Sequence, residues 1–569
     1  MASRSEIVVR FAGEGGQGVV TAAEMLASAA TGVGYHALTF ATFPSQILGG
    51  PTWTQARIAR VPVLSPGDAL DILVAFNDEA YHEHRSEVHD GGIILLDPSV
   101  TPLPEEERRC VSVPFDELAK QTGESRAANM VVMGGLSKLI NMPVHYFKDF
   151  VSKRFAGRDK VIEANHMALD LGLAHLAEED PISDLGEPEK PDYPQVFIKG
   201  NDALSIGALH AGIDFYFGYP ISPATPVLIY MERNLVGEGK FAYQASSEIE
   251  AITGIVGAGF AGKKSMTATS GPGFTLMGEG IGLAWMAEIP CVIVDVQRGG
   301  PATGLPTKTE QSDLLAALSP AHGDSSIPVI AVGTVEECFF AAVQAFNWAE
   351  RYQGPVILLS EHSLAERAQN IPRPDLAATP VETRNFYTGQ NGSLRYESQE
   401  VSPFPAPGGA GAYIANGSEH DIYGDTTHLA KYHIHMTERR FNKLKLLEDA
   451  AYESDNASAS VAVIPWGGSK GSALEAWHKL RDAGVDIAWY YTMFLNPLSP
   501  ALLEELRSKD LVIVPELNYQ GQFASVLRSH GVKAEALTQY TGLPFRPTEL
   551  SERIRTRLAE SRQPQAVNA

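Results

Sequence analysis

Residues 214–314 constrain this chain more than any other stretch. Four times within them an apolar run that reads as a strand stops at an abrupt polar or glycine-rich turn. The four are Asp214-Phe-Tyr-Phe-Gly-Tyr-Pro-Ile-Ser-Pro223, Phe241-Ala-Tyr-Gln-Ala-Ser-Ser-Glu-Ile-Glu250, Ser265-Met-Thr-Ala-Thr-Ser-Gly-Pro-Gly-Phe274 and Pro290-Cys-Val-Ile-Val-Asp-Val-Gln-Arg-Gly-Gly300. Continuous apolar strands belong to sheets buried on both faces, and those are parallel. In an open parallel sheet, ligands bind beyond the carboxyl ends of the strands. The four turns are therefore expected to line one crevice.

The remaining sequence extends this pattern. A chain of 569 residues is too long for one core, and about three or four domains is the prior expectation. Residues 1–180 alternate strand-like runs (6–12, 36–43, 72–76, 92–96, 110–114) with helical ones (from 19, then 125–140 and 144–155), the mark of a doubly wound α/β domain. An acidic, proline-rich linker covers 181–196. Residues 197–375 form a second α/β domain, with helices expected near 203–212, 223–235, 247–262, 275–286, 310–318 and 335–352. Periodicity decays over 376–456, an irregular connecting segment. Residues 457–569 return to strand–helix alternation as a smaller third domain. The fold class is thus α/β, three doubly wound domains in series.

Formal charge is −23, which argues against nucleic acid and anionic membrane as partners. Cys110, Cys291 and Cys338 lie too far apart in sequence for any familiar cluster or CxxC spacing. Few cysteines, no leader and no apolar run of transmembrane length point to the cytoplasm.

Two regions could carry chemistry. Gly13-Glu-Gly-Gly-Gln-Gly18 satisfies G-x-G-x-x-G between a strand and a helix, where backbone can approach phosphate. A nicotinamide dinucleotide also needs an acid at the end of the next strand, and Phe40-Ala-Thr-Phe43 offers none. A tight structural turn and a site for some other phosphate-bearing ligand both remain open. In the crevice, Ser247 as N-cap with Glu250 forms a capping box. That leaves Glu248 either compensating the helix dipole or aimed at a ligand donor. Arg298, at a strand's C-terminal end, pairs with an acid or awaits an anionic substrate. Ser222 sits in a proline-bounded turn, and Ser270-Gly-Pro-Gly-Phe274 is a close-approach loop.

Gly218-Tyr-Pro-Ile-Ser-Pro223, Ser247-Glu-Ile-Glu-Ala251, Ser270-Gly-Pro-Gly-Phe274 and above all Gln297-Arg-Gly-Gly-Pro-Ala-Thr-Gly-Leu-Pro-Thr-Lys-Thr-Glu-Gln-Ser-Asp-Leu314 closely resemble the alpha subunits of 2-oxoacid:ferredoxin oxidoreductases. The form resembled carries a fused gamma domain, as is usual for 2-oxoglutarate, and Gly13–Gly18 with Val19-Val-Thr-Ala-Ala-Glu24 is similar to that domain. The resemblance implies coenzyme A-dependent oxidative decarboxylation of 2-oxoglutarate, or its reversal, with electrons passed to ferredoxin. Another 2-oxoacid (branched-chain or pyruvate) and a non-catalytic assembly subunit are the alternatives. It implies that Glu248 bonds the aminopyrimidine of thiamine diphosphate, favouring the tautomer that deprotonates the thiazolium carbon. Arg298 would pair with the substrate carboxylate, with Ser222 and Tyr219 beside it and Pro220 toward the cofactor. Gly13, Gly15, Gly16 and Gly18 would contribute to coenzyme A binding. Ser222 stands where the family usually has threonine, and Leu48 where an arginine is common. No Gly-Asp-Gly followed by an asparagine pair is present to hold magnesium and diphosphate. A beta subunit is therefore expected to bring the diphosphate site, Mg and [4Fe-4S], in a dimer of heterodimers.

Overall fold

The alternating pattern takes shape, in the computed structural model, as three sheets. The structure describes residues 6–44, 49–101, 109–124, 127–183, 185–189, 191–390, 392 and 394–561; the Leu48 substitution lies outside them. Two compact units emerge: Met1–Ile198 with Arg367–Arg373, and Lys199–Glu366 with Pro374–Ala569.

In the first unit, eight strands run in the spatial order Arg109–Ser112, Val88–Leu96, Leu70–Ala75, Glu6–Glu14, Pro51–Ala59, His36–Thr42, Ala368–Pro372, Gln195–Lys199. The first four of these are parallel neighbours. Pro51–Ala59 lies antiparallel to both Glu6–Glu14 and His36–Thr42. The sequence pattern did not declare that strand, because one of its faces buries polar groups. They are paired: Arg10 donates to Gln55 Oε1 from Nε (3.2 Å) and Nη2 (2.9 Å), and Arg57 Nε donates to Glu6 Oε2 at 3.0 Å. Helix Asp159–His175 was likewise not anticipated; it buries Ala168 and Leu169 in the core of this unit.

The second unit holds the strands that the sequence singled out. Its seven-stranded sheet has the order Phe494–Asn496, Val329–Ala331, Pro355–Glu361, Cys291–Gln297, Ser265–Thr269, Phe215–Gly218, Phe241–Gln244. Five of the six pairings are parallel, and Phe494–Asn496 is the antiparallel exception. The expected helix at 275–286 is two, Gly271–Leu276 and Gly278–Met286. That at 310–318 shrinks to Leu314–Leu318, because the backbone just before it is committed elsewhere: Gln311 N donates to Leu517 O at 2.7 Å. A third sheet of five strands, Glu453–Asp455, Ala488–Tyr491, Val461–Val463, Leu511–Glu516 and Ala534–Thr538, completes the unit.

The segment between 376 and 456 is less irregular than its composition suggests. It contains the helix Ala430–Asn442, anchored by charge rather than by an apolar stripe. Arg439 donates to both oxygens of Glu288 (Nε 2.9 Å, Nη2 3.0 Å), and Lys443 Nζ donates to Glu288 Oε2 at 2.7 Å and to Gln353 O at 3.0 Å. Arg395 Nη2 donates to the Glu288 carbonyl at 3.2 Å. All four side chains are buried. Burial works against ionisation of Glu288, yet Lys443, Arg439 and Arg395 overcome it and hold the carboxyl below its usual range. Burial draws the Lys443 ammonium down to about 7 despite the pull of Glu288.

Removing one member of a buried ion cluster leaves the rest uncompensated, at a cost of about 3–5 kcal/mol. Glu288→Gln is therefore expected to lower the urea midpoint by that equivalent. Because the folded-state pKa is depressed, the contribution of Glu288 is present above the unfolded carboxylate titration and is lost as pH falls through the folded value. A midpoint unchanged from wild type at neutral pH would contradict this account of how the segment is held.

Candidate functional site

Parallel register brings the four turns together. Gly218 pairs with Gln244, Tyr216 with Met266, and Thr269 with Asp295. The strands therefore end along one edge, and Tyr219, Ala245, Ser270 and Arg298 begin the turns there. Side-chain contacts then join the turns to one another.

Glu248 opens the helix Glu248–Phe260 and is only 6% exposed. Ser247 caps that helix, its Oγ accepting from Glu250 N at 3.2 Å. The return half of the box is displaced by one residue: Glu250 Oε2 accepts from Ser246 N and Ser246 Oγ, both at 2.6 Å. Glu248 has no capping duty, and its carboxylate has no hydrogen-bond or ion-pair partner among the described residues. Its oxygens are not sealed from solvent, so their acceptor capacity stays open to an incoming donor. Beside it stands Gly273: a Cβ there would lie 2.5 Å from Glu248 Oε1 and 2.2 Å from Thr269 Oγ1. The glycine is what lets the Ser270–Phe274 turn close on Glu248.

At the other side of the crevice, Arg298 Nη1 donates to the Ser222 carbonyl at 2.7 Å, joining the first turn to the fourth. Ser222 and Tyr219 are exposed, Tyr219 by 40%, and Pro220 is half-buried. Arg298 as a whole is 7% exposed, and its buried Nε meets no acceptor. Burial lowers its pKa while Asp295 and Asp313 act in the opposite direction. Neither aspartate closes a salt bridge with it among the described residues.

These two acids were not singled out from the sequence. Asp295 is a lone carboxyl in the middle of an otherwise apolar strand, and that isolation is the signal that could have found it. Asp313 sits where its N–H donates to Gln297 Oε1 at 3.1 Å, and a Cβ on Gly271 would lie 2.9 Å from its Oδ2. The two carboxyls contact each other. Burial, then the neighbouring carboxyl, raises Asp295 well above the ordinary range. Burial also pushes Asp313 up to about 6, against the Asp295 hydrogen bond and the Arg298 charge.

The loop carrying Asp313 is held by the C-terminal sheet. Gln311 Nε2 donates to Trp466 O at 2.7 Å, Leu517 N to Gln311 Oε1 at 2.9 Å, and Gln522 Nε2 to Ser312 O at 2.7 Å. Glu516, fully buried, accepts from Trp466 Nε1 (3.1 Å), Asn518 Nδ2 (3.0 Å), Phe523 N (2.8 Å) and Ala524 N (2.9 Å). None of this was legible in sequence, since the bonds either join distant parts of the chain or bring nearby groups onto Glu516 with no local signature.

The glycine loop lies in the first unit. Gly16 and Gly18 take positive φ (104° and 77°) as the chain enters the helix Val19–Val33. Gly15, Gly16 and Gly18 line a cleft of about 580 Å³ with Thr21, Pro44 and Thr52; Gly13 does not, as a Cβ on it would meet Gln17 Oε1 at 2.4 Å. Gly15 N donates to Gly50 O (3.3 Å) and Glu14 N to Gln17 Oε1 (2.6 Å), so part of the loop's donor capacity is used internally. Among the described residues no three His, Cys, Asp or Glu side chains converge to hold a metal, and no helix is long and apolar enough to cross a membrane.

Comparison with known proteins decides the family. Residues 206–439 match the family model described as pyruvate flavodoxin/ferredoxin oxidoreductase, thiamine diphosphate-binding, and residues 8–175 match that of pyruvate ferredoxin/flavodoxin oxidoreductase. Subunit alpha of 2-oxoacid:ferredoxin oxidoreductase 2 from Aeropyrum pernix is 30% identical across 97% of both chains. The 2-oxoglutarate oxidoreductase subunit KorA of Mycobacterium tuberculosis is 31% identical across 97% of this chain and 92% of its own. This chain belongs to the 2-oxoacid:ferredoxin oxidoreductase alpha subunits. Among solved structures, 2-oxoglutarate:ferredoxin oxidoreductase from Magnetococcus marinus, with 2-oxoglutarate, coenzyme A and succinyl-CoA bound, superposes with a TM-score of 0.93. It has 36% identity and covers 97% of this chain and 100% of that one. The alpha subunit is thus part of a thiamine diphosphate-dependent oxidoreductase, and the partnerless Glu248 beside Gly273 suits a cofactor with a ring N–H to offer.

Gly273→Ala forces a methyl group into Glu248 and Thr269. Overpacking of this kind costs about 1–3 kcal/mol, against a gain of about 0.5–1 kcal/mol from replacing glycine in a helix. The expected outcome is a net loss of stability in a denaturant titration. A stabilised variant would show that the approach is not tight.

Proposed function

We propose that this alpha subunit, with a beta subunit, carries out coenzyme A-dependent oxidative decarboxylation of 2-oxoglutarate, or the reverse carboxylation, exchanging electrons with ferredoxin. What supports the choice of acid is the likeness along the whole chain to the Magnetococcus marinus enzyme, whose structure holds 2-oxoglutarate, coenzyme A and succinyl-CoA. The likeness to subunit KorA of Mycobacterium tuberculosis points the same way.

Thiamine diphosphate, when bound, supplies the nucleophilic carbon and the electron sink that a 2-oxoacid needs to lose carbon dioxide. The residues of this chain bind and orient. Glu248, buried and without a partner, accepts a hydrogen bond from the protonated ring nitrogen of the aminopyrimidine, an acid–base contact strengthened by exclusion of water. Pro220 and the Gly271–Gly273 turn shape the space around that ring. Arg298 offers its remaining N–H groups to the substrate carboxylate, while its bond to the Ser222 carbonyl fixes the plane of the fork. The Ser222 hydroxyl and Tyr219 face the same substrate. In the first unit, Gly15, Gly16 and Gly18, with Gly13 shaping the turn, form the cleft proposed for the phosphate end of coenzyme A. The beta subunit supplies magnesium, the diphosphate contacts and [4Fe-4S] clusters, and two such heterodimers assemble.

The test is the complex co-purified with its beta subunit. It is expected to contain thiamine diphosphate and to reduce a viologen dye only with a 2-oxoacid and coenzyme A, with 2-oxoglutarate giving the highest kcat/KM. Better turnover of pyruvate or a branched-chain acid would overturn the substrate assignment. Glu248→Gln is expected to lower kcat by about a hundredfold or more with assembly intact. For Arg298→Lys, loss of the planar fork should raise KM by about tenfold.

A further inference from the structure

Beneath Arg298 the structure contains a feature that the reaction as described does not use. Asp295 is fully buried on the Cys291–Gln297 strand, and neither of its oxygens meets an N–H or hydroxyl donor; the same holds for Asp313 Oδ2. Two elements press these carboxyls together. The strand carries Asp295, and the Asp313 N–H to Gln297 Oε1 bond pins the loop against that strand. The absence of a side chain at Gly271 admits Asp313 Oδ2 to the same space. A contact between two carboxyls closes as a hydrogen bond only when one of them carries a proton, since like charges so placed cannot both ionise.

We propose that Asp295 and Asp313 share one proton and act as a positioning pair, keeping Arg298 charged but unclaimed so that it can take the 2-oxoacid carboxylate. This rests on the reading of Arg298 as the carboxylate-binding residue. With one shared proton the pair carries a single negative charge. That is enough to offset the desolvation of a buried guanidinium, and no salt bridge ties up its fork. With two negative charges the pair would compete with the substrate for the same cation. With none, the partly buried guanidinium would stand without a counter-charge. The single-charge state spans the interval between the two titrations of the pair, which burial displaces upward. Two further acids among the described residues lie on the same loop and on the neighbouring strand. Glu310, on the same loop, is raised by burial and then by Asp313. Glu361, on the neighbouring Pro355–Glu361 strand opposite Gln297, accepts from Ser363 Oγ at 2.5 Å.

The proposal predicts a pH-dependent KM. As pH rises past the loss of the shared proton, KM for the 2-oxoacid should climb by about tenfold per pH unit, with kcat little changed. In Asp313→Asn an amide donates permanently to Asp295, so the alkaline rise in KM should disappear. Asp313→Glu, which can still share a proton, should restore the rise. Measurements are made on the reconstituted complex with whichever 2-oxoacid it turns over best, so an error in the substrate assignment leaves this test intact. Identical KM–pH slopes in wild type and Asp313→Asn would overturn the proposal. Infrared spectra of the isolated chain give a readout without activity. With isotope-labelled aspartate, a protonated-carboxyl stretch should persist at neutral pH and shift in D2O. Its absence would overturn the proposal even if Asp313→Asn failed to fold. If Arg298→Lys left KM unchanged while the stretch was present, the carboxylate-binding role would fail and the pair itself would stand.

Discussion

The crevice depends on parallel strands ending in register. Gly218, Gln244, Thr269 and Gln297 close four neighbouring strands along one edge, and the chain must turn there four times in a small volume. Backbone at such an edge leaves donors and acceptors that need partners, and the turns supply them to each other. Arg298 reaches back to the Ser222 carbonyl, Asp313 N reaches Gln297 Oε1, and the Gly271–Gly273 backbone is bare enough to admit Asp313 on one side and Glu248 on the other. The polar side chains of the crevice are thus fixed by packing before any ligand arrives, which is how a site is preorganised at low reorganisation cost.

That preorganisation reaches beyond the central sheet. The loop bearing Asp313 is gripped by Gln311 and Gln522, and Gln311 is bonded to both Trp466 and Leu517. Those two positions flank Glu516, whose buried carboxylate gathers an indole, an amide and two backbone N–H groups at the start of the helix Gln522–Ser529. Burial raises the pKa of Glu516 while these four donors oppose the rise. The smaller C-terminal sheet therefore has a physical role toward the crevice although none of its strands ends there.

How much of this could be read from the sequence follows from the range of each interaction. Strand–turn signals are local, so the four turns, the N-cap at Ser247 and the exceptional positions of Glu248 and Arg298 were visible. The Pro51–Ala59 strand was hidden because Gln55 and Arg57 look like surface residues until Arg10 and Glu6 are placed opposite them. Helix Ala430–Asn442 was hidden because Arg439 is buried by an ion cluster that no apolar periodicity announces. Asp295 was legible as a residue but not as a role, since its meaning comes from Asp313, eighteen residues on and held in place by a distant part of the chain.

The strand Ala368–Pro372 lies in the first sheet between His36–Thr42 and Gln195–Lys199. During synthesis the ribosome must deliver both flanking strands long before the one that joins them. Until about 370 residues have emerged, the nascent N-terminal unit carries two unpaired edges, the kind of surface that invites wrong pairing. Its completion is postponed until six of the seven central strands have been made, so the folding of the amino-terminal unit is tied to the birth of its neighbour.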